Sequence, residues 1–287
     1  MSYDVIVIGG GPAGLSAAVQ ARVRGKSVLV VSSSPADNPL GRAPRVDNYL
    51  GLPGLTGAEL LERFGAHADA AGVERMTGRA LSAMPTDEGF FVAVGSQVVE
   101  GRALILACGA AHGTRYPGES EYLGRGVSYC ATCDGMLYRG RDVVVAGFSA
   151  EAPEEANYLH ELGCRVTYVS RRAPEGLSPE IPVVTASRLE IVGEGAVTAL
   201  RADGKELPCA CVFLLRPSVA PAELLPGLEL EGGYIRVDRD MAAGIPGVFA
   251  AGDCTGLPLQ VSKAVGEGLV AGQRAAEYVD RKAGRRG

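Results

Sequence analysis

The stretch Val5-Ile6-Val7-Ile8-Gly9-Gly10-Gly11-Pro12-Ala13-Gly14 leaves this chain few choices of fold. A continuous β-branched run bounded by glycine reads as a strand buried on both faces. The glycines after it match G-x-G-x-x-G at a strand-to-helix turn. Gly9 makes the turn, Gly11 lets backbone approach a pyrophosphate, and Gly14 lets the helix pack on the strand. A helix from about Leu15 to Arg24 and a strand from Lys26 to Val31 complete a βαβ unit, the context that gives the motif its force. Gly9, Gly11, Pro12, Ala13 and Gly14 are therefore candidate cofactor-binding residues. An acidic residue usually closes the second strand to hold a ribose. Ser32, Ser33 and Ser34 stand there instead, and a hydroxyl of Ser32 or Ser33 is the candidate sugar contact.

Further along, residues 35–53 form a long loop containing Leu40 and Asn48, and loops of this length are usually functional. Thr56-Gly57-Ala58-Glu59 is a capping box opening a helix to about Ala71, with Gly72 behind it. A hairpin is expected across Gly95-Ser96, and then a buried strand through Ala107-Cys108-Gly109. The pattern then repeats. A strand at Asp142 to Ala146 leads through Gly147-Phe148-Ser149 to a helix from Pro153 to Leu162. A strand from Arg165 to Ser170, a hairpin around Asp203-Gly204 and a strand from Cys211 to Leu215 follow. The chain closes with Val248-Phe249-Ala250-Ala251-Gly252-Asp253 and a helix from about Gln260 to Arg281.

Between the repeats lies Cys130-Ala131-Thr132-Cys133-Asp134. Two cysteines at this spacing on the first turn of a helix can close an easily reduced disulfide, and helix N-terminal N–H groups lower the pKa of a thiolate there. The alternative is half a zinc site, but no second Cys/His pair stands at ligand spacing, and His67, His112 and His160 are scattered. Seven cysteines with one close pair favour a reducing, cytoplasmic setting with a catalytic disulfide. Cys108, Cys164, Cys209, Cys211 and Cys254 read as small core residues. A net charge of −5 gives no case for nucleic acid or an anionic membrane. No apolar run reaches the roughly 20 residues of a membrane span, and Met1-Ser2-Tyr3-Asp4 leads into a strand without a signal peptide.

Over nearly its whole length the chain resembles the low-molecular-weight thioredoxin reductases. The matching stretches are the opening fingerprint, Val46-Asp47-Asn48, Ala107-Cys108-Gly109, Cys130-Ala131-Thr132-Cys133-Asp134, Gly252-Asp253 and Gln260 with Gly266-x-Gly268. The resemblance implies an α/β fold of two Rossmann-like (three-layer ββα) nucleotide-binding domains, the second inserted in the first. Residues 1–112 and 244–287 would form the FAD domain and 113–243 the disulfide domain. It implies FAD contacts at Leu40, Asn48, Ala107, Gly109 and Gly252. Asp253 would bond the ribityl chain, and Gln260-Val261 would present N–H groups to the flavin edge. It implies that Cys133 takes electrons from the flavin, Cys130 attacks a thioredoxin or similar dithiol protein, and Asp134 supplies a proton to the leaving thiolate. A homodimer is expected on the same ground. Where the family has Arg-Gln, this chain has Leu259-Gln260.

The second fingerprint departs from the family pattern. Phe148 and Ser149 stand at glycine positions, and Glu151 adds negative charge near where phosphates would sit. Of the basic cluster for a 2′-phosphate only Arg171-Arg172 survive, after Ser170. Pro174, Pro179 and Pro182 exclude a normal helix over residues 173–181. These departures resemble the ferredoxin-dependent, pyridine-nucleotide-independent branch, in which a ferredoxin-like electron donor reduces the FAD. Arg115, Arg125, Arg139 and Arg141 are the candidate docking patch for an acidic donor. Two other readings stay open: an NAD(P)H-dependent reductase with an unusual nucleotide site, and a flavin/dithiol redox sensor without sustained catalysis.

Overall fold

The computed structural model describes residues 2–109, 116–216 and 220–284. His112 and Arg115 therefore lie outside the described residues. The chain separates into two compact units, residues 1–112 with 218–287 and residues 113–217.

In chain order, the first unit opens with β1 (Ser2–Ile8), α1 (Pro12–Val23), β2 (Val28–Ser32), α2 (Gly57–Ala70), β3 (Glu74–Thr77), β4 (Ala80–Pro85), β5 (Phe90–Val94) and β6 (Gln97–Leu106). The second unit holds α3 (Glu119–Tyr122), β7 (Val127–Ser128), α4 (Ala131–Asp134), β8 (Asp142–Gly147), α5 (Ala152–Glu161) and β9 (Arg165–Ser170). It continues through β10 (Val183–Thr185), β11 (Leu189–Glu194), β12 (Ala196–Ala202), β13 (Lys205–Pro208) and β14 (Cys211–Leu215). The first unit is completed by α6 (Pro221–Leu224), β15 (Leu230–Glu231), β16 (Tyr234–Ile235), β17 (Val248–Ala250) and α7 (Val261–Gly284).

In the first unit β1 lies parallel between β2 and β6, with Val5 opposite Val28 and Ala103. The pleat sends alternate residues to opposite faces. Val5, Val7, Val30 and Ile105 pack under α1 and α7, while Ile6, Ile8, Val31, Leu104 and Leu106 face Phe90, Val92 and Val99. Apolar cover on both faces explains why β1 reads as an unbroken hydrophobic run. The result is the three-layer ββα arrangement. The second arm of the expected hairpin and the buried strand, expected as separate elements, are one strand, β6. Its first half pairs antiparallel with β5 and its second half parallel with β17.

The return to this unit comes at residue 218, not at 244 as the sequence suggests. Leu224, Leu225, Leu228, Ile235 and Ala243 are buried in the same core as Ile6 and Leu104, so residues 220–243 belong to the first unit by packing. Thr56 caps α2 as expected: its N–H donates to Glu59 Oε2 at 2.7 Å, and its Oγ1 accepts from Glu59 N at 3.2 Å.

The second unit repeats the layering. A parallel sheet in the order β10-β9-β8-β14-β7 carries α5 on one face and the antiparallel β11-β12-β13 on the other. The chain turns between β12 and β13 at Asp203-Gly204, both with positive φ (47° and 87°), as a tight hairpin requires. Residues 173–181 contain no helix. Among the described residues no helix is long and apolar enough to cross a membrane.

Candidate functional site

The first unit gathers its glycines at the carboxyl ends of its parallel strands, where α/β sheets bind ligands. Gly9 has φ +118°, and a Cβ there would stand 2.1 Å from Ala107 O; one on Gly14 would stand 1.9 Å from Gly9 O. Only glycine allows these approaches. Gly11 is the N-cap of α1 and, having no side chain, leaves the first-turn N–H groups without a side-chain cap from its own position. A Cβ on Gly10 would meet Ser32 Oγ at 2.8 Å, and one on Gly11 would meet Asn38 Nδ2 at 3.3 Å. Bare backbone donors at the start of a twelve-residue helix, with polar side chains beside them, fit a pyrophosphate.

The same edge brings in the far end of the chain. Gly252 has φ +88°, and a Cβ there would lie 2.7 Å from Ala13 Cβ. Asn48 Nδ2 donates to Gln260 Oε1 at 2.8 Å, joining two predicted cofactor residues across the chain. Val261 opens α7. Ala107 is buried, Gly109 has φ +74° with open space at its Cβ position, and Asp253 begins a short 3-10 turn. Ser33 follows β2, and Leu40 lies in the 3-10 turn Pro39–Arg42.

Sequence reasoning missed the clamp behind Gly252. Lys263 Nζ donates to the carbonyl oxygens of Gly252 and Gly256, both at 2.9 Å, and lies 3.2 Å from Glu267 Oε2. Glu267 Oε2 accepts from Gly252 N and Thr255 Oγ1, both at 2.8 Å. Its only trace in the sequence is an ordinary i,i+4 Lys/Glu pair. Asn38 was also missed. Its Oδ1 accepts from Leu40 N at 3.0 Å, a turn cap that its place before Pro39 could have signalled.

In the second unit Cys130 and Cys133 are joined in a disulfide, with Cα atoms 5.4 Å apart. Cys130 is the N-cap of the single-turn α4 and is buried, whereas Cys133 is exposed. Cys133 N donates to Cys130 Sγ at 3.1 Å, the donor expected to favour a thiolate. The Ala131 N–H, however, donates to Glu155 Oε2 of α5 at 3.2 Å. Ser128 Oγ donates to Asp134 Oδ2 at 2.7 Å and accepts from Cys130 N at 3.1 Å. Buried Ser128 therefore ties the carboxylate to the cysteine turn. Just beyond, Met136 and Leu137 are 59% and 72% exposed. Behind the turn, burial and then Cys211 push the Tyr138 hydroxyl up to about 12.

The second glycine turn is filled by protein. Phe148 N and Ser149 N both donate to Leu215 O, at 2.9 and 3.1 Å, which holds the turn close on β14. The Phe148 ring stacks on Tyr116 at 5.7 Å, and Arg216 lies over the Tyr116 ring at 5.2 Å from its centroid. Arg216 Nη2 donates to Glu119 Oε2 at 2.7 Å, and Glu119 also accepts from Tyr129 Oη at 3.0 Å. Burial would raise the fully buried Glu119 carboxyl, but the Arg216 guanidinium and the Tyr116 N–H outweigh it and hold its pKa low. Tyr168 closes the turn from α5's side: a Cβ on Gly147 would fall 1.9 Å from Tyr168 Oη. Arg171, Arg172, Arg125, Arg139 and Arg141 are exposed.

A glycine cradle for a dinucleotide cofactor in one unit and a reducible Cys-x-x-Cys turn in the other define a disulfide oxidoreductase. The family model for pyridine nucleotide-disulphide oxidoreductases matches residues 3–268. A thioredoxin reductase of Treponema pallidum is 36% identical, covering 97% of both chains, and one of Listeria innocua is 35% identical over 97% of this chain and 94% of its own. Two crystal structures of a ferredoxin-flavin thioredoxin reductase from Clostridium acetobutylicum are similar. One has a TM-score of 0.93 at 38% identity, covering 99% of both chains. The other has a TM-score of 0.88 at 43% identity, covering 98% of this chain and 99% of its own. The chain belongs to the pyridine nucleotide-disulphide oxidoreductase family. Within it, the chain is a flavoprotein disulfide reductase of the thioredoxin reductase type, with FAD as its cofactor.

Proposed function

We propose that this reductase takes electrons from a ferredoxin-like one-electron protein and passes them through FAD and Cys130–Cys133 to thioredoxin, without NADPH. Bound FAD supplies the relay between a one-electron donor and a two-electron disulfide. Gly9, Gly11, Gly14 and the start of α1 would hold its pyrophosphate, Asp253 its ribityl chain, and Gln260-Val261 its ring edge. Cys133 receives the electrons, and Cys130 is the nucleophile toward the protein disulfide. Asp134, fixed by Ser128, donates the proton to the leaving thiolate. Cys130 is only 7% exposed, so its attack on a partner requires the turn to uncover it. A cytoplasmic homodimer belongs to the same reading.

The observation that carries the donor assignment is the occupied second turn. The stacked Phe148 and Tyr116 rings stand where a nucleotide-binding turn would present bare backbone to a pyrophosphate. Glu151 adds charge of the wrong sign, and the chain after Arg172 has no helix to complete a 2′-phosphate site. The similar Clostridium acetobutylicum protein, a ferredoxin-flavin thioredoxin reductase, supports the same donor class.

The test is anaerobic stopped-flow mixing of the yellow holoenzyme with NADPH, then with reduced ferredoxin. NADPH should leave the flavin absorbance unchanged over seconds, and ferredoxin should bleach it. Arg125, Arg139 and Arg141 are exposed on the disulfide unit, so the ferredoxin rate should fall steeply with added salt, which screens charges beyond about 8 Å at physiological ionic strength. Reduction by dithionite should barely change. Rapid bleaching by micromolar NADPH would overturn the donor assignment in favour of a nucleotide-dependent reductase. A salt-independent ferredoxin rate would remove the arginines from it.

A further inference from the structure

We propose that Glu155 is a positioning residue for the redox disulfide: its carboxylate holds the Ala131 N–H and fixes a negative charge beside the sulfurs, biasing the pair toward the disulfide. This deepens the reading of Cys130–Cys133 as redox-active and does not depend on the electron donor.

The first-turn donors of a Cys-x-x-Cys helix normally stabilise a thiolate. In α4 they are divided. Cys133 N–H points at Cys130 Sγ at 3.1 Å, but Ala131 N–H is taken by Glu155 Oε2 at 3.2 Å. Glu155 reaches across from the first turn of α5, twenty-four residues away in sequence. It is half-buried, so its charge is not fully screened. The carboxylate oxygen stands 3.2 Å from the Ala131 nitrogen, the amide that follows Cys130, and a like charge within about 4–6 Å disfavours a second anion.

Other titratable groups face the same turn, and Glu155→Gln leaves them in place. Asp134, on α4 itself, is a second carboxylate, held through Oδ2 by the Ser128 hydroxyl. Tyr129, on the N-terminal side, is committed to Glu119. Tyr158 of α5 and Tyr138 pack near Gly135 and Cys211, and Cys164 Sγ lies 3.8 Å from Gly135 O. Arg141 acts on Tyr138. Burial pushes up the free thiols of Cys164 and Cys211.

A charge near a thiolate matters only when the thiolate is populated. The bias should therefore be small below the thiol pKa and grow above it. Reduction by dithiothreitol balances as disulfide plus dithiol reagent giving protein dithiol plus oxidised reagent, with two electrons and two protons transferred. The holoenzyme is equilibrated in dithiothreitol redox buffers between pH 7 and 9.5 and alkylated, and the peptide carrying both cysteines is weighed. The pH profile of iodoacetamide alkylation of the reduced enzyme supplies the thiolate midpoint.

Glu155→Gln keeps an acceptor for Ala131 N–H and removes the charge. It should lower the alkylation midpoint by about half to one pH unit. At pH 9 it should move the equilibrium about three- to tenfold toward the dithiol, or about 15–30 mV, with little change at pH 7. Glu155→Asp keeps the charge and should stay near wild type in both. A purely structural Glu155 would give Glu155→Gln a wild-type midpoint and potential, and that result would overturn the proposal. So would a shift in Glu155→Asp as large as in Glu155→Gln. Neither readout uses ferredoxin or thioredoxin turnover, so failure of the donor assignment would leave both unchanged.

Discussion

At the scale of single residues, the structure separates groups that act from groups that hold them. Cys130 and Cys133 differ in exposure, and that difference bears on their roles. If Cys133 faces the flavin, Cys130→Ser leaves its thiolate free beside the ring, and a long-wavelength charge-transfer band should appear in the absorbance spectrum. Cys133→Ser should show no such band and should keep FAD bound while abolishing disulfide reduction. A band in the Cys133 variant instead would reverse the two roles. Lys263, in the first turn of α7, is a group that holds. Its ammonium is committed to Gly252 O, Gly256 O, Thr255 Oγ1 and Glu267. Hydrogen bonds to a charged group contribute about 1.5–3 kcal/mol each. The clamp therefore fixes the Gly252-Asp253 turn in a positive-φ geometry that a free loop would lose.

Among the elements, the contact of α1 with α7 sets the shape of the cradle. Cβ atoms on Gly268 and Gly272 would stand 2.2 and 2.3 Å from Ala13 O and Ala17 O, so the two helices meet backbone to backbone. Gly272→Val must push α1 away. Overpacking of this kind costs about 1–3 kcal/mol, or roughly 2–12 °C in Tm for a unit of this size. Because α1 begins at the pyrophosphate cradle, FAD affinity should fall with it; calorimetry and titration of the apoprotein with FAD would measure both. An unchanged Tm would mean that the helices can separate freely. The elements also show what a sequence can reveal. β9 and β14 were legible to the residue, because Val166-Thr167-Tyr168-Val169 and Val212-Phe213-Leu214-Leu215 are short unbroken β-formers. β4 was not, because Ala80–Pro85 has weak alternation and ends in proline. β6 was read as two pieces, because Gly101 and Arg102 interrupt its apolar pattern. The cradle glycines and the cysteine turn were legible because each chemistry demands a fixed spacing. Lys263, Glu267 and Glu155 were not, because their partners are set by tertiary packing.

The whole molecule is one unit interrupted by another. The inserted unit has its own parallel sheet and apolar clusters on both faces. Residues 113–217 expressed alone should therefore fold, with a cooperative thermal transition, dispersed amide resonances and a Cys130–Cys133 disulfide, and should bind no FAD. An unfolded fragment would mean that its core depends on the flanking unit. The first unit is in the opposite position, since β6 pairs with β17 and α1 packs on α7 across the insertion. During synthesis on the ribosome, the inserted unit is complete while α1, which starts at the cradle, still lacks Gly252, Gly268 and Gly272 as neighbours. The nascent chain can thus present a finished, oxidisable dithiol before it can seat a flavin. Cofactor loading becomes an event that follows release of the last helix, and a truncated product would carry the cysteines without the means to reduce them.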